Sequence, residues 1–141
     1  MEYQKFDNKI YLRVDRGEEV IEKITEVATK ENVTLASVQA IGATDKFTVG
    51  LYTVEEKKYS SHTYEGEFEI VSLLGNITRK DDKPYIHLHI ACGDENNHVF
   101  GGHLNYCRIS ATFECVITLS DGKITRKVDE KTGLNVFNYS K

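Results

Sequence analysis

Between Lys9 and Val14 the apolar side chains fall on every second position, Ile10, Leu12 and Val14 against Tyr11 and Arg13, the period of a strand with one buried face. The period then lengthens. From Gly17 to Lys30 the apolar set Val20, Ile21, Ile24, Val27 and Ala28 recurs at helical spacing, with Asp15 and Glu18 offering a capping box and Asn32 a stop. Residues 33–43, VTLASVQAIGA, suit either a short second helix or a strand, and Gly42 marks a turn or a close backbone approach. From Lys46 onward the signals are β: KFTVGLYTV, KKYSSHTYE, FEIVSLLGNITR, PYIHLHIAC, RISATFECVITL and KITRKV. Asp81-Asp82, Gly93-Asp94 and Asp121-Gly122 punctuate these runs, and Asp121-Gly122 is a hairpin signal. The tail GLNVFNYSK adds an edge strand or docks across the core, and its Phe137 and Tyr139 need cover. One N-terminal helix followed by consecutive strands predicts an α+β domain with a mostly antiparallel β-sheet.

Length and composition narrow this little. The 141 residues suit a single domain, 1–141, with no repeat or linker, able to bury roughly 70% of the surface its unfolded chain exposes. A net charge of −4 argues against a sequence-independent grip on a phosphate backbone, and the lysines at 57–58 and 123–127 alternate with acidic or polar residues as a solvated face does. The N-terminus lacks a basic segment followed by an apolar one, and no run reaches membrane-spanning length, so a soluble cytoplasmic protein is expected. Cys92, Cys107 and Cys115 are odd in number and lack CxxC spacing, which fits buried thiols rather than disulfides or a cysteine zinc site.

The chemistry concentrates in PYIHLHIACGDENNHVFGGHLNYC, where four of the five histidines lie between 87 and 103. On a strand over 85–91, His87 and His89 share a face with Cα atoms roughly 6.6 Å apart, while Ile86, Leu88, Ile90 and Cys92 turn to the core. A hairpin-like return between 92 and 103 brings a third imidazole, His103, alongside, with Gly101-Gly102 before it permitting unusual dihedrals or close backbone approach. Three neutral imidazoles with an open position suit Zn²⁺, and other transition metals such as nickel, copper or ferrous iron accept nitrogen too. His62 and His98 read as surface residues. Glu69 and Glu114 sit among apolar strand residues; Glu114, in the strand after His103, is the candidate for acid/base work or for orienting a ligand. Neither a phosphate-binding GxxxxGK[ST] loop nor a GxGxxG fingerprint is present.

Several segments in order resemble one family: Arg13 with Gly17-Glu18, Ala40-Ile41-Gly42-Ala43, Gly66-Glu67-Phe68-Glu69-Ile70-Val71, Ser72-Leu73-Leu74-Gly75-Asn76-Ile77, Pro84 with His87-Leu88-His89, Gly101-Gly102-His103-Leu104, and Thr112 with Glu114. This is similar to the plants and prokaryotes conserved domain, or PPC domain, of the stand-alone prokaryotic kind, over about residues 5–125. The resemblance implies an antiparallel α+β fold assembled as a homotrimer, with the histidines of HLH and GGHL, a feature of the prokaryotic branch, as a metal site. In plants the domain follows AT-hooks in DNA-binding nuclear proteins and uses the segment matching Gly66–Val71 for protein contacts. No Arg-Gly-Arg-Pro occurs here. The resemblance fixes no reaction. Three expectations follow: a trimeric metal protein, with hydrolytic or lyase chemistry at a metal-bound water; DNA association without an AT-hook; and recruitment of a protein partner through Gly66–Val71.

Overall fold

The computed structural model describes residues 1–139, so the last two positions of the GLNVFNYSK tail lie outside the described residues. Strand β1 (Glu2–Phe6), which carries no alternation to announce it, pairs back on β2 (Lys9–Asp15). In β2 the expected set Ile10, Leu12 and Val14 is buried and Tyr11 and Arg13 are exposed.

Helix α1 (Val20–Lys30) starts later than the periodicity suggests, because its cap is Glu19, whose carboxylate accepts the Glu22 N–H at 2.7 Å. The Asp15–Glu18 box is half made: Glu18 accepts the Asp15 N–H at 2.8 Å, but the Asp15 carboxylate is taken by Arg13 and the N-terminal amine. Asn32 ends the helix as expected, in the left-handed region at φ 48°, with its N–H on the Thr29 carbonyl. Val20, Ile24, Val27 and Ala28 are buried against β5 and β6.

The ambiguous segment 33–43 is strand, and no second helix forms among the described residues. It opens β3 (Ala36–Thr53), where Ala36, Val38 and Ala40 are buried and Ser37, Gln39 and Ile41 are not. Two ladders decide the matter, with β4 (Lys58–Lys80) on one side and β6 (Val99–Leu119) on the other. Local propensity is weak beside a backbone paired along both edges. Several of the separate β runs in the sequence are therefore halves of strands of 18, 23 and 21 residues, bent by irregularities such as that between Ala40 and Gly42.

Between β4 and β6 comes β5 (Lys83–Gly93). Asp81 and Asp82 are both at positive φ, 51° and 57°, which makes the β4–β5 connection the two-residue primed turn whose twist matches that of its strands. Because β5 pairs with both β4 and β6, the strands β3, β4, β5 and β6 close into a ring of pairings. One core, built on Phe47, Phe113, Leu73, Ile77, Leu88 and Ile117 with the apolar face of α1, fills it.

Asp121-Gly122 does not make the expected hairpin. After it the chain crosses to β4, where β7 (Thr125–Val128) pairs in parallel at Arg79, and β8 (Asn135–Asn138) pairs back on β7. The tail is thus an edge strand that also docks, since Tyr52 donates to the Thr132 carbonyl at 2.7 Å and Asn135 donates to Tyr85 Oη at 3.3 Å. Phe137 is half-buried, whereas Tyr139 stays exposed. No described helix is long and apolar enough to cross a membrane. The three cysteines are free and buried, and burial pushes each thiol up to about 12.

Candidate metal centre

Strand parity does what the sequence implies. Leu88, Ile90 and Cys92 enter the core, and His87 and His89 stand on the opposite face with ring centroids 5.2 Å apart. The Gly93–Asp94 turn returns the chain, its Asp94 carboxylate accepting the N–H groups of Asn96 and His98 at 2.9 and 2.8 Å. That return sets the β5–β6 register with His103 directly opposite His89. The His103 ring lies 5.2 Å from His87 and 5.5 Å from His89, and one nitrogen from each of the three falls within 4.8 Å of the others.

Glycines hold this arrangement by allowing close approach, not by unusual dihedrals. A Cβ on Gly101 would lie 2.3 Å from the Ile90 carbonyl oxygen, and one on Gly75 would lie 2.0 Å from that of His87. Gly75→Ala is therefore expected to destabilise the protein by roughly 1–3 kcal/mol, as inserted atoms do in packed structure. Urea unfolding reads it; an unchanged midpoint contradicts so tight an approach.

Around the rings the sheet is mostly polar. Asn76 is the cross-strand neighbour of His87 and Leu74 that of His89. Tyr59 meets His103 edge-on at 6.1 Å, and its hydroxyl donates to Asn105. The β7–β8 hairpin brings Arg126, whose side chain donates to Asn76 Oδ1 at 2.6 Å and Thr78 Oγ1 at 2.9 Å. Burial first, then the positive forms of His103 and His89 and the Arg126 guanidinium, push the His87 imidazole down to about 4. Burial, with His89 behind it, also lowers His103. His87 is thus neutral at pH 7, with a lone pair available to a cation. A tetrahedral zinc with bonds of about 2.0–2.1 Å needs nitrogens about 3.4 Å apart. The donor set fits such an ion once nitrogens now up to 4.8 Å apart close by at most about 1.4 Å.

Glu114 is not brought here. It lies eleven residues further along β6, about 36 Å of strand beyond His103 at roughly 3.3 Å per residue, exposed between Arg13 on β2 and Ile41 on β3. Sequence proximity misleads because an extended strand converts separation in number into separation in space. Glu69 is likewise exposed at a distance from the rings along β4. His62 and His98 are surface residues as expected, the first against Tyr64 and the second 3.5 Å from Asp94. What the sequence did not reveal is the support: Asn76 had a signal, a lone amide in an apolar strand, whereas Tyr59 and Arg126 had none.

A profile of the Plants and Prokaryotes Conserved (PCC) domain, the family resembled above, matches residues 1–121. No curated protein matches the chain. Among solved structures, a protein from Bacteroides thetaiotaomicron, provisionally described as DNA-binding, superposes with a TM-score of 0.94 at 26% identity over 97% of this chain and 96% of its own. A metal-containing protein from Archaeoglobus fulgidus gives 0.87 at 33% identity, over 98% and 97%. A plant- and prokaryote-conserved protein from Pyrococcus horikoshii gives 0.85 at 31%, over 99% and 95%. Sequence profile and backbone agree along the same β order that carries the histidines, and the chain belongs to the Plants and Prokaryotes Conserved domain family.

Proposed function

We propose that the protein is a homotrimer in which His87, His89 and His103 of each chain bind a transition metal, zinc in the first instance, with one coordination position left for water or a small ligand. The convergence of three imidazole nitrogens within 4.8 Å, from two paired strands, carries this reading. The Archaeoglobus relative, itself metal-containing, supports it. When bound, the ion supplies Lewis acidity and an acidified water. The chain's own part is to hold His87 neutral, orient the rings from paired β backbone and screen one side with the C-terminal hairpin. Elemental analysis of protein purified without a histidine tag tests it: about one equivalent per chain is expected, and less than a tenth ends the reading.

The depressed His87 pKa has a measurable consequence. At pH 5.5, three imidazoles of ordinary pKa near 6.5 would release about 2.7 protons as an ion binds. His87, near 4, has already lost its proton, so its own share of about 0.9 proton drops out of that count. Titration calorimetry of zinc in buffers of different ionisation enthalpy counts these protons. A count near three would show that burial does not keep His87 neutral.

The trimer is supported by an apolar groove of about 840 Å³ that includes Phe6, Tyr11, Ile41, Val71 and Leu74, all exposed on one chain. Val71 ends the Gly66–Val71 segment expected to make protein contacts, and a second copy of this chain is the partner that segment would meet. DNA association is the weaker reading: the net charge of −4 opposes it, and only a gel shift that weakens steeply with salt would favour it.

A further inference from the structure

Among the described residues the Arg126 guanidinium has no carboxylate partner. It is stacked between two rings, 4.8 Å from the Tyr85 centroid and 4.5 Å from that of Phe137, and half withdrawn from water. Three of its five N–H groups are committed, Nε to Thr78 Oγ1, one Nη to the Asn135 carbonyl and the other to Asn76 Oδ1. One N–H on each terminal nitrogen has no partner among the described residues. No described carboxylate pairs with Arg126 or perturbs it, His87 or His103. A partly desolvated cation without an ionic partner is costly, and its two uncommitted N–H groups are donors suited to an oxyanion.

Its place is defined by the sheet. Tyr85, His87 and His89 alternate along one face of β5, Arg126 lies on the first of them, and the Asn76 it grips is the cross-strand neighbour of the second. The guanidinium therefore stands at the shoulder of the histidine centre. It is delivered by a hairpin beyond residue 121, where the family profile match ends.

We infer that Arg126 is the anion-binding arm of the histidine centre, and that the ligand is a small organic acid whose carboxylate lies on the two free N–H groups of Arg126 while a second oxygen reaches the histidine-bound metal. This deepens the metal reading and rests on it. No bond is made or broken in this step. Residues 76, 85, 135 and 137 position the arm, and the two positive charges side by side, ion and guanidinium, select an anion over its neutral analogue.

The test uses cobalt(II)-loaded protein, whose visible spectrum reports ligands at the ion, titrated with glycolate and with glycolamide, its neutral amide. Wild type is expected to prefer glycolate at least about tenfold. Since the metal itself favours a carboxylate, the decisive comparison is Arg126→Gln: with one cobalt still bound, a collapse of that preference to within threefold supports the arm, and an undiminished preference overturns it. Should Arg126→Gln lose cobalt or unfold, Arg126→Lys is read instead; there a preference at least threefold below wild type supports the arm and an unchanged one overturns it. If wild type takes up no cobalt, the metal reading fails by itself. Calorimetry of glycolate with metal-free wild type and Arg126→Gln then judges the arm: binding lost only in the variant supports it, and equal or absent binding in both overturns it.

Discussion

His103→Ala protein is expected to bind zinc at least about 100-fold more weakly than wild type, while His98→Ala protein binds it unchanged. Outer partners of a metal ligand are worth roughly 10–100-fold in affinity, so loss of one of three ligands should cost more. His103 is the informative choice because it is the proposed ligand from the second strand: His87 and His89 remain on β5, and what disappears is the imidazole that the β5–β6 register sets opposite them. The fold should survive, since the imidazole is half exposed and outside the apolar core. Competition against a chromophoric chelator gives the affinity. Thermal melting gives a second reading, because an ion present at 100 times its dissociation constant stabilises the native state by about 2.7 kcal/mol. Wild type should melt higher with zinc and His103→Ala should not. Equal affinity in the two proteins would remove the histidine centre as the zinc site.

The second large effect is expected at the apolar groove. Leu74→Asp should elute with the mass of one chain, 16.0 kDa, where wild type elutes with that of three. Leu74 is 58% exposed on the isolated chain and Ile41 57%, too much contiguous apolar surface for an ordinary solvated face. A carboxylate buried there without a partner carries an effective penalty of several kcal/mol, repeated at each interface of a closed ring. Leu74 is also the cross-strand neighbour of His89, so the groove and the histidine face adjoin. Lys57→Asp, in the exposed turn between β3 and β4, is the matched control and should leave the mass unaltered. Sedimentation that finds a single chain for wild type would refute the trimer.

Where the sequence was legible, the cause is local. The two-residue period puts Ile10, Leu12 and Val14 inside and, on β5, sends His87 and His89 to the face opposite Leu88 and Ile90, because successive side chains on a strand alternate whatever the strand pairs with. Asn32 stops the helix and Asp81-Asp82 turns the chain because these short polar residues tolerate positive φ. The position of His103 was half legible. The Gly93-Asp94 signal implied a return, but only the register shows residue 103 opposite 89. Glu114 stands apart from the rings because nearness in number is distance along an extended strand, and Asp121-Gly122 makes no hairpin because a turn signal does not say which strand the chain joins next.

Thus the sequence by itself determined the N-terminal helix, the β character of most of the remaining chain and the shared face of His87 and His89, since each depends on interactions within a few residues. The closure of β3, β4, β5 and β6, the strand identity of 33–43 and the arrival of Arg126 beside His87 were decided only by the tertiary structure. Each of these joins segments tens of residues apart, and the pairing energy that selects them lies in ladders between strands rather than in any one segment's own pattern.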